Sequence, residues 1–197
     1  VIKLGITGGL GSGKSLAAEF FKEFSAIIYD ADLIAKTLIN ENPELQERLK
    51  IVFGEEIFEK GGKLNRSMLA EAAFSSRLKQ QALNDIIHPY VLHKLEEICR
   101  HEKERGTSFL AIEASMLFEA KSEKQYDAIL VVTASEETRL KRSLKRSTLT
   151  LEQIQKRMDL QMPEEDKISR ADYVIYNEGT PLELKKKCRL IFDSLQQ

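Results

Sequence analysis

Apolar residues along the chain form short blocks separated by longer stretches in which they recur every three or four positions. The blocks at 1–6, 26–29, 108–112, 128–133 and 173–176 have the length of buried strands. Helical periodicity follows the first block from about residue 14 and predicts further helices over 43–53, 66–74, 76–87, 89–105, 136–146, 150–161 and 181–195. Pro163 stops the second-last of these, and Ser147-Thr148 is the turn before it. Strands alternating with helices predict an α/β fold, a five-stranded parallel sheet flanked by helices on both faces. Between the second and third strands the pattern is helical throughout, which predicts an inserted lobe, with Gly61-Gly62 as a turn between Phe58 and Leu64.

The connection after the first strand reads Gly8-Gly9-Leu10-Gly11-Ser12-Gly13-Lys14-Ser15, the P-loop pattern in a strand-to-helix setting. Its glycines let the backbone curl so that successive N–H groups face phosphate oxygens, and the helix behind adds the positive end of its dipole. Lys14 then reaches the β- and γ-phosphates, and the Ser15 hydroxyl is placed for Mg2+. A nucleoside triphosphate is therefore the expected ligand.

In an open parallel sheet, ligands bind beyond the carboxyl ends of the strands. Asp30 and Asp32 follow the second strand at that edge, where a carboxylate can accept the proton of an attacking hydroxyl or hold magnesium through water. One of the two is expected to cap the helix that starts near Ala31, and Asp32 is the preferred base. The run Phe109-Leu110-Ala111-Ile112-Glu113 has the form of a Walker-B strand with Glu113 for the magnesium shell, although many buried strands also end in a polar residue. Met116-Leu117-Phe118-Glu119 behind it suits packing or a pocket wall. Arg139, Arg142 and Arg146 recur at spacings of three and four on one helical face, fit either for a lid over phosphates or for a solvated surface shared with Lys141 and Lys145. Arg157 and Gln161, a turn apart on the next helix, say less.

Composition narrows these choices. The 197 residues carry 30 Lys plus Arg against 31 Asp plus Glu, a net charge of −1, and are 42% hydrophobic, enough for one domain with a small inserted lobe. There is no basic excess for nucleic acid, and the aromatic residues form no stacking platform. His88, His93 and His101 lack a metal-ligand spacing, and His88 before Pro89 reads as a residue at a helix start. Cys99 and Cys188 lie far apart and read as reduced thiols. Apolar runs are too short for a bilayer and the P-loop begins within ten residues of the first, so no signal peptide, no membrane partner and a cytoplasmic location are expected.

Taken in order, GITGGLGSGKS, DADLIAKTL, FGEEIF with GGKLNR, LNDIIHP, EASMLFE, DAILVVTASEETRLKRSLKR, QKRMDLQ and ADYVIYNEG make the chain similar, over nearly its whole length, to the dephospho-coenzyme A kinases. The resemblance implies a P-loop NTP hydrolase fold like that of nucleoside monophosphate kinases, with a core at about 1–40, 108–135 and 165–197, a coenzyme-binding lobe at about 41–107 and a lid at about 136–164. It implies transfer of the ATP γ-phosphoryl to the ribose 3′-hydroxyl of dephospho-coenzyme A, with ATP and Mg2+; a monomer or weak homo-oligomer without a nucleic-acid partner is expected. Carried over, Gly8, Gly9, Gly11, Ser12, Gly13, Lys14, Ser15 and Leu16 cradle ATP, Arg142 and Arg146 close on its phosphates, and Asn177 lies near its adenine end. Lys14, Asp32 and Arg142 are then catalytic, and Asp32, Arg66 and His88 serve the acceptor. Five positions depart from the family pattern: Leu16 stands for a common Thr, Glu113 and Ser115 for Asp and Pro, Lys36 for Arg and Ser147 for Asp. None removes a group the chemistry requires. A GTPase-like switch would need a guanine-reading Asn/Thr-Lys-x-Asp element and a DxxG switch, and neither is present. Another small-metabolite kinase of the same architecture is the nearer alternative, and a non-catalytic nucleotide-binding protein the more distant one.

Overall fold

A computed structural model describes residues 1–197. It divides into two compact units, one made of Val1–Asp30 with Cys99–Gln197 and the other of Ala31–Ile98.

The first unit holds all five strands: β1 (Ile2–Thr7), β2 (Ile27–Asp30), β3 (Phe109–Glu113), β4 (Ala128–Thr133) and β5 (Tyr173–Tyr176). They form one parallel sheet in the order β2-β3-β1-β4-β5. β3 and β4, near the middle, are buried at every position, and this is why they read as unbroken apolar runs and not as alternating ones. Helix α1 (Lys14–Glu23) and the C-terminal helix, α9 below, pack on one face. There Phe21, Phe109 and Phe192 meet, with ring centroids 6.1 Å and 4.8 Å apart for the pairs Phe21–Phe109 and Phe109–Phe192.

The second unit is helical. It contains α2 (Ala31–Glu41), α3 (Pro43–Phe53), a short 3-10 turn, α4 (Arg66–Ala73) and most of α5 (Arg77–Glu104), which ends in the first unit. Leu45, Leu49, Phe53, Ile57, Leu64, Leu69 and Ala73 are buried there. Two helices begin on asparagine caps: Asn42 accepts from the Leu45 N–H at 3.1 Å, with Pro43 at the first helical turn, and Asn65 accepts from the Met68 N–H at 3.2 Å. Phe58 and Leu64 pair across the expected turn, where Gly62 takes a φ of 77°.

The remaining helices belong to the first unit: α6 (Glu136–Arg146), α7 (Leu151–Leu160), α8 (Glu164–Ser169) and α9 (Pro181–Leu195). Thr150 and Thr180 start α7 and α9 with complete capping boxes. Two expectations are corrected. The segments 76–87 and 89–105 are one helix, α5, that runs through an exposed Pro89, so His88 lies mid-helix and not at a helix start. The polar stretch after Pro163 forms α8, which its lack of apolar periodicity concealed. No helix is long and apolar enough to cross a membrane.

Candidate active site

The loop from Gly8 to Lys14 is shaped by what crowds it. Gly11 has φ 80°, and a Cβ there would run into the Arg139 carbonyl oxygen. Gly13, at φ 98°, is the N-cap of α1, and a side chain on it would strike the Asn177 amide. Asn177 ties three pieces together: its Nδ2 donates to the Ser12 carbonyl at 2.8 Å, its N–H to the Thr133 carbonyl at 2.7 Å, and its own carbonyl accepts from Arg142 Nη1 at 2.9 Å. At the tip, Leu10 N–H donates to Gln161 Oε1 at 2.9 Å. The N-terminus of α1 has no side-chain cap and no acid in its first turn, so its end charge is left for an anion. The Ser12 hydroxyl is buried without a hydrogen-bond partner in the protein, a donor of the kind a phosphate oxygen satisfies.

Lys14 and Ser15, the first residues of α1, meet the end of β3. Ser15 Oγ donates to Glu113 Oε1 at 2.5 Å, and Lys14 Nζ lies 3.9 Å from the same oxygen. The parallel register brings Glu113 level with Ile6 on one side and with Asp30 on the other. A hydroxyl and a carboxylate side by side are oxygen donors suited to a hard cation. No group of three or more acidic, histidine or cysteine side chains is gathered that could cage one. Magnesium takes one or two protein oxygens and completes its shell with phosphates and water, and a hydroxyl beside a carboxylate is a donor pair of that kind.

The three arginines of α6 part company. Arg139 is buried, donates from Nε to the Ala134 carbonyl at 3.2 Å and pairs with Glu164 at 3.8 Å, so it belongs to the scaffold. Arg142 and Arg146 line a cavity of about 280 Å³ with Gly11, Gly13, Leu16 and Asn177. Lys141 and Lys145 are exposed. Leu16 therefore gives this cavity an apolar wall.

Sequence reasoning missed a buried charged cluster beside the loop. Glu164 accepts from Thr133 Oγ1 at 2.6 Å and lies 3.6 Å from the fully buried Lys167, which is also 3.9 Å from Glu119. Burial pushes the Lys167 amine down from its ordinary pKa, against the pull of the two carboxylates. A Glu and a Lys three residues apart on a polar stretch were the only local signal.

In the helical unit the candidates lie apart in the chain on three different helices. Asp32 is half-buried in the first turn of α2, where a carboxylate suits the helix dipole, and Asp30 holds the position just before that helix. Arg66 is exposed at the start of α4, and His88 is half-buried within α5.

Comparison with known proteins identifies relatives over the whole length. Residues 2–183 match the family model for dephospho-CoA kinase (CoaE). The chain is 37% identical over 196 residues to the dephospho-CoA kinase of Chlorobium luteolum, covering 98% of this chain and 90% of that one. It is 34% identical over 190 residues to that of Bacillus cereus, covering 96% and 95%. A crystal structure of a Thermus thermophilus protein superposes with a TM-score of 0.79 at 34% identity, over 98% of this chain and 97% of that one. Shikimate kinase from Bacteroides thetaiotaomicron superposes with a TM-score of 0.57 at 12% identity, over 100% and 99%, a likeness of fold alone.

Proposed function

The chain belongs to the dephospho-CoA kinase family and has that activity, and on this premise we propose how its residues move the ATP γ-phosphoryl to the ribose 3′-hydroxyl of dephospho-CoA. The triphosphate sits in the loop from Gly8 to Ser15, with Lys14 as a point charge on the β- and γ-oxygens. The convergence of Lys14 and Ser15 on one oxygen of Glu113 carries this assignment, because it sets the ammonium and the hydroxyl of the P-loop pattern beside a carboxylate at the end of β3. Ser15 and Glu113 are the side chains that would hold magnesium, which would supply positive charge to offset that of the phosphates.

Adenine enters the cavity beside Leu16 and Asn177, and Arg142 and Arg146 on its wall meet the phosphates as the lid, about 136–164, closes. Charge spreading over the equatorial oxygens in the transition state is what guanidinium groups stabilise. The acceptor is held by the lobe of about 41–107, with Arg66 and His88 as its contacts. Asp32 takes the proton of the 3′-hydroxyl, supported by its place two residues beyond the strand end that is level with Glu113.

The test is ADP formation in a coupled assay with dephospho-CoA beside AMP, CMP, shikimate and gluconate. Turnover with dephospho-CoA far above the rest is expected. Comparable turnover of any other acceptor overturns the reading.

A further inference from the structure

Gln161 stands outside every role given so far, yet it makes a bond to the P-loop across 151 residues of chain. We infer that Gln161 is a positioning residue: held by the Glu119, Glu164 and Lys167 cluster, it fixes the tip of the P-loop and links that tip to helix α7 of the lid.

Residues 14 onward are held by helical hydrogen bonds, whereas the tip at Gly9 and Leu10 has a single turn bond of its own, from the Ser12 N–H to the Gly9 carbonyl at 3.1 Å. The Leu10 N–H is fixed from outside. Gln161 Oε1 takes the Leu10 N–H at 2.9 Å, and the Gln161 backbone N–H bonds the Met158 carbonyl at 3.1 Å to end α7. The next residue, Met162, donates its N–H to Glu119 Oε1 at 2.8 Å. Glu164 then fastens the segment to β4 through Thr133 and to α6 through Arg139. Gly9 lies against this assembly so closely that a Cβ would collide with Glu164 and come 2.6 Å from Arg139 Nη1.

The cluster is a costly way to fill a corner. Lys167 Nζ and Glu119 Oε2 are buried without hydrogen-bond partners, and replacing buried ions of this kind by apolar side chains of similar volume is often neutral or stabilising. Charges fix position in a way that apolar packing does not, and what they fix here is the segment carrying Gln161. Loop amides bind phosphate well only when they already point at it, so an acceptor that pins one amide orients those that follow. Because α7 packs on α6, which carries Arg142 and Arg146, the same bond couples the tip to the lid.

This inference rests on the assignment of residues 8–15 to the triphosphate. Its test is Gln161→Met in the full chain, which keeps length and bulk and loses the acceptor. Titration with a non-hydrolysable ATP analogue and magnesium should show Kd raised about threefold to tenfold, the effect of one hydrogen bond. KM for dephospho-CoA should be unchanged, the Leu10 amide should exchange faster, and the unfolding midpoint without nucleotide should stay near that of the parent chain. An unchanged Kd with an unchanged Leu10 amide overturns the inference, as does a lowered midpoint with nucleotide affinity intact, the mark of a helix end and nothing more. If Gln161→Met does not fold, Gln161→Asn, one methylene short, gives the same readouts. Failure of the parent chain to phosphorylate dephospho-CoA would overturn the proposed function while leaving the titration and exchange results interpretable.

Discussion

In the sheet unit, groups assigned to the triphosphate are held by other groups of the protein: Ser15 by Glu113, Arg142 by the Asn177 carbonyl, the loop by Asn177 and Gln161. In the helical unit, Asn42 and Asn65 bond to their own helix starts, and Arg66 stands exposed at the head of α4. The first arrangement is preorganised, its dipoles placed before any ligand arrives, and suits stabilising charge in a transition state. The second commits these side chains to its own helix starts and surface, and the acceptor recognition proposed for it would rest on exposed charge such as Arg66. Substitutions in the sheet unit should therefore act on kcat, and those in the helical unit on KM for the acceptor, with Asp32 as the instructive exception.

The largest effect expected is that of Lys14→Ala. The role proposed for its ammonium is on the phosphates, and it is not part of the apolar core, so kcat should fall by more than about a thousandfold. Thermal unfolding without nucleotide should hardly change. A kcat within a factor of about ten of the parent would remove the sheet unit's claim to the transition state.

Next comes Asp32→Asn, which breaks the simple division if the proposal is right. Asparagine keeps size and hydrogen bonding but cannot accept the proton, so kcat should drop by roughly a hundredfold or more while ATP affinity barely changes. If Asp32 serves only the helix dipole, the loss is a few tenths of a kcal/mol of stability and turnover survives. In that case Asp30, level with Glu113 at the end of β2, becomes the base.

Arg142→Ala and Arg146→Ala sharpen the comparison inside one helix. Loss of a charged hydrogen bond to the transferring group should lower kcat by about ten- to a hundredfold. Lys145→Ala, on the same helix but outside the cavity that the two arginines line, should leave kcat near that of the parent. Equal effects at all three positions would make α6 a solvated basic face.

The same two units differ in how much of each could be read from the chain. β3 and β4 are buried on both faces, so their apolar runs carried the sheet, and the P-loop pattern carried Lys14, Ser15 and the ligand class. Spacing puts Arg139 on one helical face with Arg142 and Arg146, but spacing is blind to the Ala134 carbonyl and Glu164 that draw it inward. The Leu10–Gln161 bond left no local trace because its partners are joined only by the fold. In the helical unit the error had another source. Pro89 lacks an N–H and commonly ends a helix, and α5 passes through it with the ring exposed to solvent.

The smallest effect concerns Arg66, and it tests whether the helical unit recognises the acceptor through exposed charge. Arg66→Ala should raise KM for dephospho-CoA about threefold to tenfold, the scale of one partly solvated charged contact, with kcat and KM for ATP unchanged. A cation in the first turn of a helix opposes the dipole, so its removal should not destabilise α4 and the unfolding midpoint should hold or rise slightly. Asn65→Ala supplies the control. It removes the cap on the Met68 N–H, costing about 1 kcal/mol, or roughly 2–4 °C in a chain of this size. It leaves the charge at Arg66 in place. If Asn65→Ala raises KM for the acceptor as much as Arg66→Ala does, the effect comes from a fraying helix and Arg66 loses its role. If only Arg66→Ala raises it and Arg66→Lys restores most of the affinity, the guanidinium acts as a charge on the acceptor's phosphates. Failure of lysine to restore it would point to two-pronged phosphate binding, which an ammonium cannot reproduce.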